Sequence, residues 1–524
     1  MLKIKDEGIR LIQKGKQSAL KVVFGRMGFI VLTLAIQLFL IFVCIIKFNP
    51  FTPHIVGLSI LLSLGMGLYL LNSTIDPTAK ITWLIVIIFL PVFGALFFLY
   101  TQKDVGHRML KKHHEIILDR TKDKLKQDPK VLEELQQEAP EVASLHHYLN
   151  ESGCFPVYSG CDVTYFPLGE YKFKELLKQL QKARSFIFLE YFIIHEGLMW
   201  GKVLEVLAQK VREGVEVRVM YDGTCEFSTL PHDYPERLKE LGIQCKMFAP
   251  IRPFLSTHYN YRDHRKILVI DNEVAFTGGI NMADEYINRV ERFGHWKDTA
   301  IMVRGKAAQS FTLMFLQMWN VEEKQIQMDC YLHQFAPIYD GVHGYVMPYA
   351  DCPVDQYKVG EMVYMDLLNR AQKYVHIMTP YLILDGELET ALKFAAERGV
   401  QVQLILPGIP DKKIPYALAK THYQSLIDAG VQIYEYEPGF VHAKVWTVDD
   451  VTAVVGTINL DYRSLYHHFE CGCYMYKVDC YKDIEEDFQR TLSLCRRVSH
   501  QTIKEESFKT KLVGKTLKWI APLL

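Results

Sequence analysis

His264-Arg-Lys-Ile-Leu-Val-Ile-Asp271 and His442-Ala-Lys-Val-Trp-Thr-Val-Asp449 carry one pattern, H-x-K-x4-D, twice in the same chain. Seven residues after each aspartate stand Gly278-Gly-Ile-Asn281 and Gly456-Thr-Ile-Asn459, and every matched pair is 178 residues apart. With each residue type at roughly one position in twenty, H-x-K-x4-D arises by chance about 0.06 times in a chain this long. Two copies with the same glycine and asparagine behind them mark an internal duplication.

The duplication extends upstream of the motifs. Ala183-Arg-Ser-Phe-Ile-Phe-Leu-Glu-Tyr-Phe192 and Ala371-Gln-Lys-Tyr-Val-His-Ile-Met-Thr-Pro380 are apolar strands after a helix, 188 residues apart. Gly214-Val-Glu-Val-Arg-Val-Met220 answers Gly399-Val-Gln-Val-Gln-Leu-Ile405, and Gly242-Ile-Gln244 answers Gly430-Val-Gln432. Helix then strand, punctuated by glycine, predicts α/β units around a mixed sheet. The fall in offset from 188 to 178 places about ten extra residues of the first half within 251–263. The expected halves are 150–325 and 326–500, with a charged helical connector over 101–149.

Histidine and lysine two apart on a strand project from one face. Two halves brought face to face therefore pool two imidazoles, two ammonium groups and two carboxamides. That cationic set suits an anionic phosphate, and side chains alone can supply the charge that a phosphoryl transition state needs. One neutral imidazole can attack phosphorus while the other moves a proton to and from the exchanging alcohols. The candidate motif residues are His264, Lys266, Asp271, His442, Lys444 and Asp449, with Asn281 and Asn459 beside them. No metal and no cofactor is expected.

Three uncharged apolar runs precede the repeat, at 27–46, 55–75 (apolar through 71) and 81–100, and predict transmembrane helices in a multi-pass membrane protein. Residues 1–26 carry seven basic side chains against two acidic, and 101–126 carry eight against four. Basic flanks favour the cytoplasm, yet three crossings separate them. One run is therefore expected not to cross, and Pro91 with Gly94 marks the third as kinked or re-entrant. The expected location is the cell membrane, with the catalytic region on the cytoplasmic side. The tail 501–524, with Lys509, Lys511, Lys515, Lys518 and Trp519, reads as a basic amphipathic helix for an anionic surface or as a simple cap.

The 524 residues balance 60 basic against 60 acidic side chains, which argues against a nucleic-acid partner. Eleven cysteines without a CxxC pair suggest buried free thiols, not a zinc ribbon.

The doubled motif resembles the phospholipase D superfamily, and within it bacterial cardiolipin synthases, over nearly all of 150–500. Asn260-Tyr-Arg-Asp263 ahead of the first motif, Asp284-Glu-Tyr286, Trp296-Lys-Asp298, Thr379-Pro-Tyr381, Asn459-Leu-Asp-Tyr-Arg-Ser464 and Phe469-Glu470 carry the likeness. Pro91-Val-Phe-Gly94 and Ala521-Pro-Leu-Leu524 are similar too. Departures are Asp263 where asparagine is usual, Ala283 where glycine is common, and His468 where asparagine is frequent.

The resemblance implies two phospholipase-D-like halves and a phosphatidyl transfer joining two phosphatidylglycerols into cardiolipin with release of glycerol. Phosphatidylglycerol, other anionic phospholipids and the membrane are the implied partners; the oligomeric state is open. It implies His264 as nucleophile, His442 as general acid/base, and Lys266, Lys444, Asn281 and Asn459 around the phosphate. Each histidine is oriented by a downstream carboxylate, and spacing suggests Asp298 for His264 and Glu470 for His442. Asp271 and Asp449 are expected to bind structural partners. A phospholipase D hydrolase, another phosphatidyltransferase, and a catalytically dead lipid-binding membrane protein are the alternatives.

Overall fold

The computed structural model describes residues 8–11, 39, 42, 52–73, 75, 77–102, 105–250, 261–323, 326, 328–332, 337–519 and 521. The chain divides into two compact units: the repeat with the helices leading into it, and the apolar N-terminal segment.

In the first half, strands β1 (Asp162–Phe166), β2 (Phe186–Tyr191), β3 (Glu216–Asp222), β4 (Gln244–Phe248), β5 (Arg262–Asp263), β6 (Lys266–Ile270), β7 (Val274–Gly278), β8 (His295–Lys297) and β9 (Ala300–Arg304) form. Seven of them make one sheet in the order β1-β9-β7-β6-β2-β3-β4. Only β2, β3 and β4 run parallel to one another.

The second half supplies β10 (Tyr345–Asp351), β11 (Tyr374–Met378), β12 (Gln401–Pro407), β13 (Gln432–Tyr436), β14 (Gly439–Val441), β15 (Val445–Val448), β16 (Thr452–Gly456), β17 (His468–Tyr476) and β18 (Cys495–Arg497). Its order, β10-β17-β16-β15-β11-β12-β13-β18, repeats the first with one added edge strand. The α/β fold class and the duplicated mixed sheet are thus as the sequence predicts.

The strands read as continuous apolar runs because both faces are covered. In β2 and β6, Phe186, Phe188, Ile267 and Val269 enter a core shared with the second sheet. Ile187, Leu189, Leu268 and Ile270 alternate into a second core under the helices Gly169–Leu180 and Leu198–Arg212. The helix Ala308–Trp319 carries eleven buried residues out of twelve and packs on β2, β6, β7 and β10.

The membrane-directed expectations fare unevenly. The run 27–46 lies outside the described residues, apart from Phe39 and Phe42. The second forms a helix, Thr52–Leu71, whose apolar stretch begins only at Ile55 and so falls short of the ~20 residues of a full crossing. The third is not one 20-residue helix. It breaks at Leu90 into Pro77–Phe89 and Pro91–Gln102, because Pro91 cannot continue a ladder and instead opens a new helix at its first position. The two pieces fold back on each other: Trp83 meets Phe97 and Phe98 at 5.6 and 5.2 Å, and a Cβ on Gly94 would lie 2.9 Å from the Val86 carbonyl oxygen. Among the described residues no helix is long and apolar enough to cross a membrane.

Candidate active site

Each motif histidine sits just ahead of a hairpin strand, and each strand is aimed by its own aspartate. Asp271 accepts hydrogen bonds from the backbone N–H groups of Arg184, Ser185 and Phe186 at 2.7–2.8 Å. Asp449 does the same for Gln372, Lys373 and Tyr374 at 2.6–2.9 Å. Both aspartates lie in left-handed turns, with φ of 52°. Five residues of extended chain put Asp271 about 16 Å from Lys266. Asp271 and Asp449 are therefore structural anchors and stand outside the site that the other motif residues build.

The orienting carboxylates are exchanged relative to the spacing argument. His264 Nδ1 lies 2.8 Å from Glu470 Oε1, and His442 Nδ1 lies 2.7 Å from Asp298 Oδ2. The cause is a reciprocal strand exchange. Arg262 and Asp263 of β5 pair in parallel with His468 and Phe469, and the His264 N–H donates to the Phe469 carbonyl at 2.9 Å, which sets the imidazole beside Glu470. In the mirror arrangement β8 pairs in parallel with β14, and the His442 N–H donates to the Lys297 carbonyl at 2.7 Å, beside Asp298. Each half thus completes the other's histidine.

Both imidazoles are buried, His264 at 6% and His442 at 7% exposure. Burial, with Lys266 and then His468, Lys444 and His442 nearby, holds His264 neutral well below the usual histidine range. Burial and Lys444 push His442 down to about 4 against the opposing pull of Asp298. Lys266 and Lys444 are themselves depressed by burial, to about 8 and about 7. Each lysine donates back to the carbonyl of its own histidine, and Lys444 Nζ also stands 3.0 Å from His442 Nδ1.

The two asparagines differ. The Ile193 N–H donates to Asn281 Oδ1 at 3.0 Å, and Asn281 Nδ2 donates to the Tyr286 hydroxyl at 2.8 Å, so its amide ties the loop together. Asn459 keeps a buried Oδ1 without a hydrogen-bond partner. Asp263 is absorbed behind the site, where the Arg265 N–H donates to it at 3.2 Å and the Arg265 side chain binds Glu190.

Several site residues escape sequence reasoning. Thr457 donates its hydroxyl to Glu470 Oε2 at 2.5 Å. Gly279, its repeat counterpart, has no room for a side chain: a Cβ would stand 2.0 Å from Asp298 Oδ1. The glycine–threonine difference between the two G-x-x-N stretches was a visible signal, but its meaning needs the crossed carboxylates. Phe192 sits edge-on to His264 at 4.8 Å, and Tyr286 to His442 at 5.5 Å. His264, His468 and Glu470 offer three ligand atoms within 4.8 Å of one another, the set that would hold a metal ion here. Lys266 and Arg463 beside them make the same place far better suited to an anion.

A family model described as cardiolipin synthase, PLD-like domain, matches residues 176–319 and 364–492, one match in each half. The chain belongs to the phospholipase-D-like cardiolipin synthase family. This makes it an enzyme of the phosphatidyltransferase class. A second model, the phospholipase D-nuclease N-terminal segment, matches 60–101. A cardiolipin synthase of Alkalihalophilus pseudofirmus is 32% identical over 464 residues, covering 88% of this chain and 92% of that one. A Streptococcus mutans protein is 58% identical over 462 residues, 88% of this chain and all of its own length. The crystal structure of phosphatidylserine synthase from Haemophilus influenzae shares the fold at a TM-score of 0.53 and 14% identity, over 69% of this chain and 95% of that one.

Proposed function

We propose that this family member is a cardiolipin synthase that exchanges one phosphodiester for another through a phosphohistidine. The observation carrying the reading is the pair of buried imidazoles, each oriented at Nδ1 by a carboxylate of the opposite half, with the charges of Lys266 and Lys444 acting on both. His264 Nε2 attacks the phosphorus of a first phosphatidylglycerol, and the departing glycerol oxygen takes a proton from His442. His442 then takes a proton from a hydroxyl of a second phosphatidylglycerol, whose oxygen attacks phosphorus and releases His264. The stronger depression of His264 suits the nucleophile, which must be neutral. His442 rests neutral too; a bound phosphodiester anion opposes the burial that depresses it and restores the acid form. Lys266, Lys444 and Asn459 hold the phosphate oxygens, and Asn281 holds the Tyr286 side of the pocket.

Lipid substrates account for the apolar segment. Leu58, Leu61, Leu64 and Leu68 are more than 60% exposed on Thr52–Leu71, which suits contact with acyl chains. A helical hairpin at 77–102 that enters and leaves by one membrane face would return the basic stretch 101–126 to the side from which the hairpin entered. The helix Phe508–Lys518 supports the tail's proposed contact with an anionic surface, because Phe508, Leu512, Lys509, Lys515 and Lys518 all face outward.

The test is a mixed-micelle assay of the purified protein with phosphatidylglycerol alone and a chelator present. Cardiolipin and free glycerol are expected, both lost in His264→Ala and His442→Ala. Phosphatidic acid as the main product would make the enzyme a hydrolase instead.

A further inference from the structure

The strand exchange puts one aromatic residue beside each catalytic imidazole at matching positions. On β8, Trp296 stands two residues before Asp298, with its ring 5.6 Å from that of His442. On β17, His468 stands two residues before Glu470, with its ring 5.3 Å from that of His264. The duplication is thus broken here too: an indole flanks the proton-transfer histidine, and a third imidazole flanks the nucleophile.

His468 is 8% exposed, and its tautomer follows from its neighbours. Arg463 Nε donates to His468 Nε2 at 3.3 Å, so Nε2 accepts and the ring hydrogen of neutral His468 is on Nδ1. Burial and the facing cations Arg463, Lys266 and Arg262, with His467, keep the ring neutral. The Nδ1–H has no hydrogen-bond partner and points to Glu470 Oε1 from 3.6 Å, too far for a hydrogen bond in the resting site. At that distance the Nδ1–H dipole already favours a charge on the carboxylate in the resting site, and the contact tightens further when substrate is bound.

Glu470 needs such a donor. It is fully buried, which raises its carboxyl well above the usual range despite Lys266. If Glu470 were protonated it would donate to His264 Nδ1, the His264 hydrogen would sit on Nε2, and no lone pair would face phosphorus. A donor to the carboxylate favours its ionised form. Asp298 has that support from the Thr299 backbone N–H at 2.8 Å, whereas Glu470, besides His264, has the neutral hydroxyls of Thr457 and Ser464, which do not offset its burial.

We infer that His468 is a positioning residue for the nucleophile: its Nδ1–H holds Glu470 ionised, and so fixes His264 in the tautomer with a free Nε2. The inference rests on the proposed role of His264. His468→Phe keeps the ring and removes the donor, while His468→Asn places an amide N–H where Nδ1 stood.

In full-length protein turning over phosphatidylglycerol, His468→Phe is expected to lose about tenfold in kcat at unchanged KM, the size of one hydrogen bond to a charged group. His468→Asn is expected within about twofold of wild type. A readout without substrate is the rate of His264 carbethoxylation by diethyl pyrocarbonate, measured by peptide mass spectrometry, which requires a free Nε2; the same order is expected. Equal behaviour of His468→Phe and wild type in both readouts would overturn the inference, as would equal impairment of the Phe and Asn variants, which marks a packing role. If wild type makes no cardiolipin but His264 reactivity still follows the order, the functional reading fails and the positioning role stands.

Discussion

At the residue scale the crossed carboxylates make the two histidines separable by experiment. Glu470 orients His264 and Asp298 orients His442, so under the proposed roles of nucleophile and acid/base Glu470→Gln and Asp298→Asn should differ with substrate. On a phosphatidyl ester of p-nitrophenol, whose leaving group needs no proton, Asp298→Asn is expected to form the phosphoenzyme within about tenfold of the wild-type rate. Glu470→Gln is expected to lose about a thousandfold or more, as when a triad carboxylate is neutralised. Rapid-quench measurement of labelled enzyme decides it; equal losses would contradict the crossed roles. Gly279→Ala supplies a second check. Its Cβ would stand 2.0 Å from Asp298 Oδ1 and 2.8 Å from the His442 carbonyl oxygen, so activity should fall about a hundredfold and the melting temperature should fall with it.

At the element scale the packing of the C-terminal helix is specified by one glycine. Phe508–Lys518 lies on Lys413–Asp428, and a Cβ on Gly514 would reach within 2.3 Å of the Ala417 carbonyl oxygen. Gly514→Val is expected to release the helix, seen as cleavage by trypsin after Lys509, Lys511 or Lys515 at rates at least tenfold above wild type. Backbone close to backbone cannot yield as a side-chain tip can, which is why a single methyl is felt here. The short strands that cross between the halves behave alike: on β14, Gly439 lets the chain run beside His295, where a Cβ would come within 2.3 Å.

For the whole molecule, buried histidines set a pH dependence. Burial lowers His114, on the helix Val105–Thr121, to about 4, and its ring packs on Phe469 at 5.6 Å behind the site. The folded state resists a proton that the unfolded chain accepts near 6.5, so His114 withdraws stability as pH falls from about 6.5 towards 4. The effect amounts to roughly 2 kcal/mol at pH 5. Buried carboxyls such as Asp351, raised by burial to about 7, act in the opposite direction. The clean observable is therefore a difference: His114→Phe should flatten the stability–pH curve between 6.5 and 4.5 relative to wild type, measured by denaturant midpoints. Parallel curves would show that His114 titrates normally.

The paired H-x-K-x4-D stretches and their constant offset of 178 residues determined the duplication, the mixed sheets and six motif residues, because strand periodicity and glycine punctuation are local properties written along the chain. Which carboxylate meets which histidine is not local. It follows from two parallel pairings between residues more than 140 apart, Arg262 with His468 and Gly439 with His295, which no spacing within one half encodes. The break at Leu90 was signalled by Pro91, yet the return of Phe97 and Phe98 onto Trp83 needed the folded helices. Asp271 and Asp449 share a motif with the site histidines and lysines but serve the far end of the strand. Sequence places residues in order along a strand, and only the tertiary fold decides which end faces the chemistry.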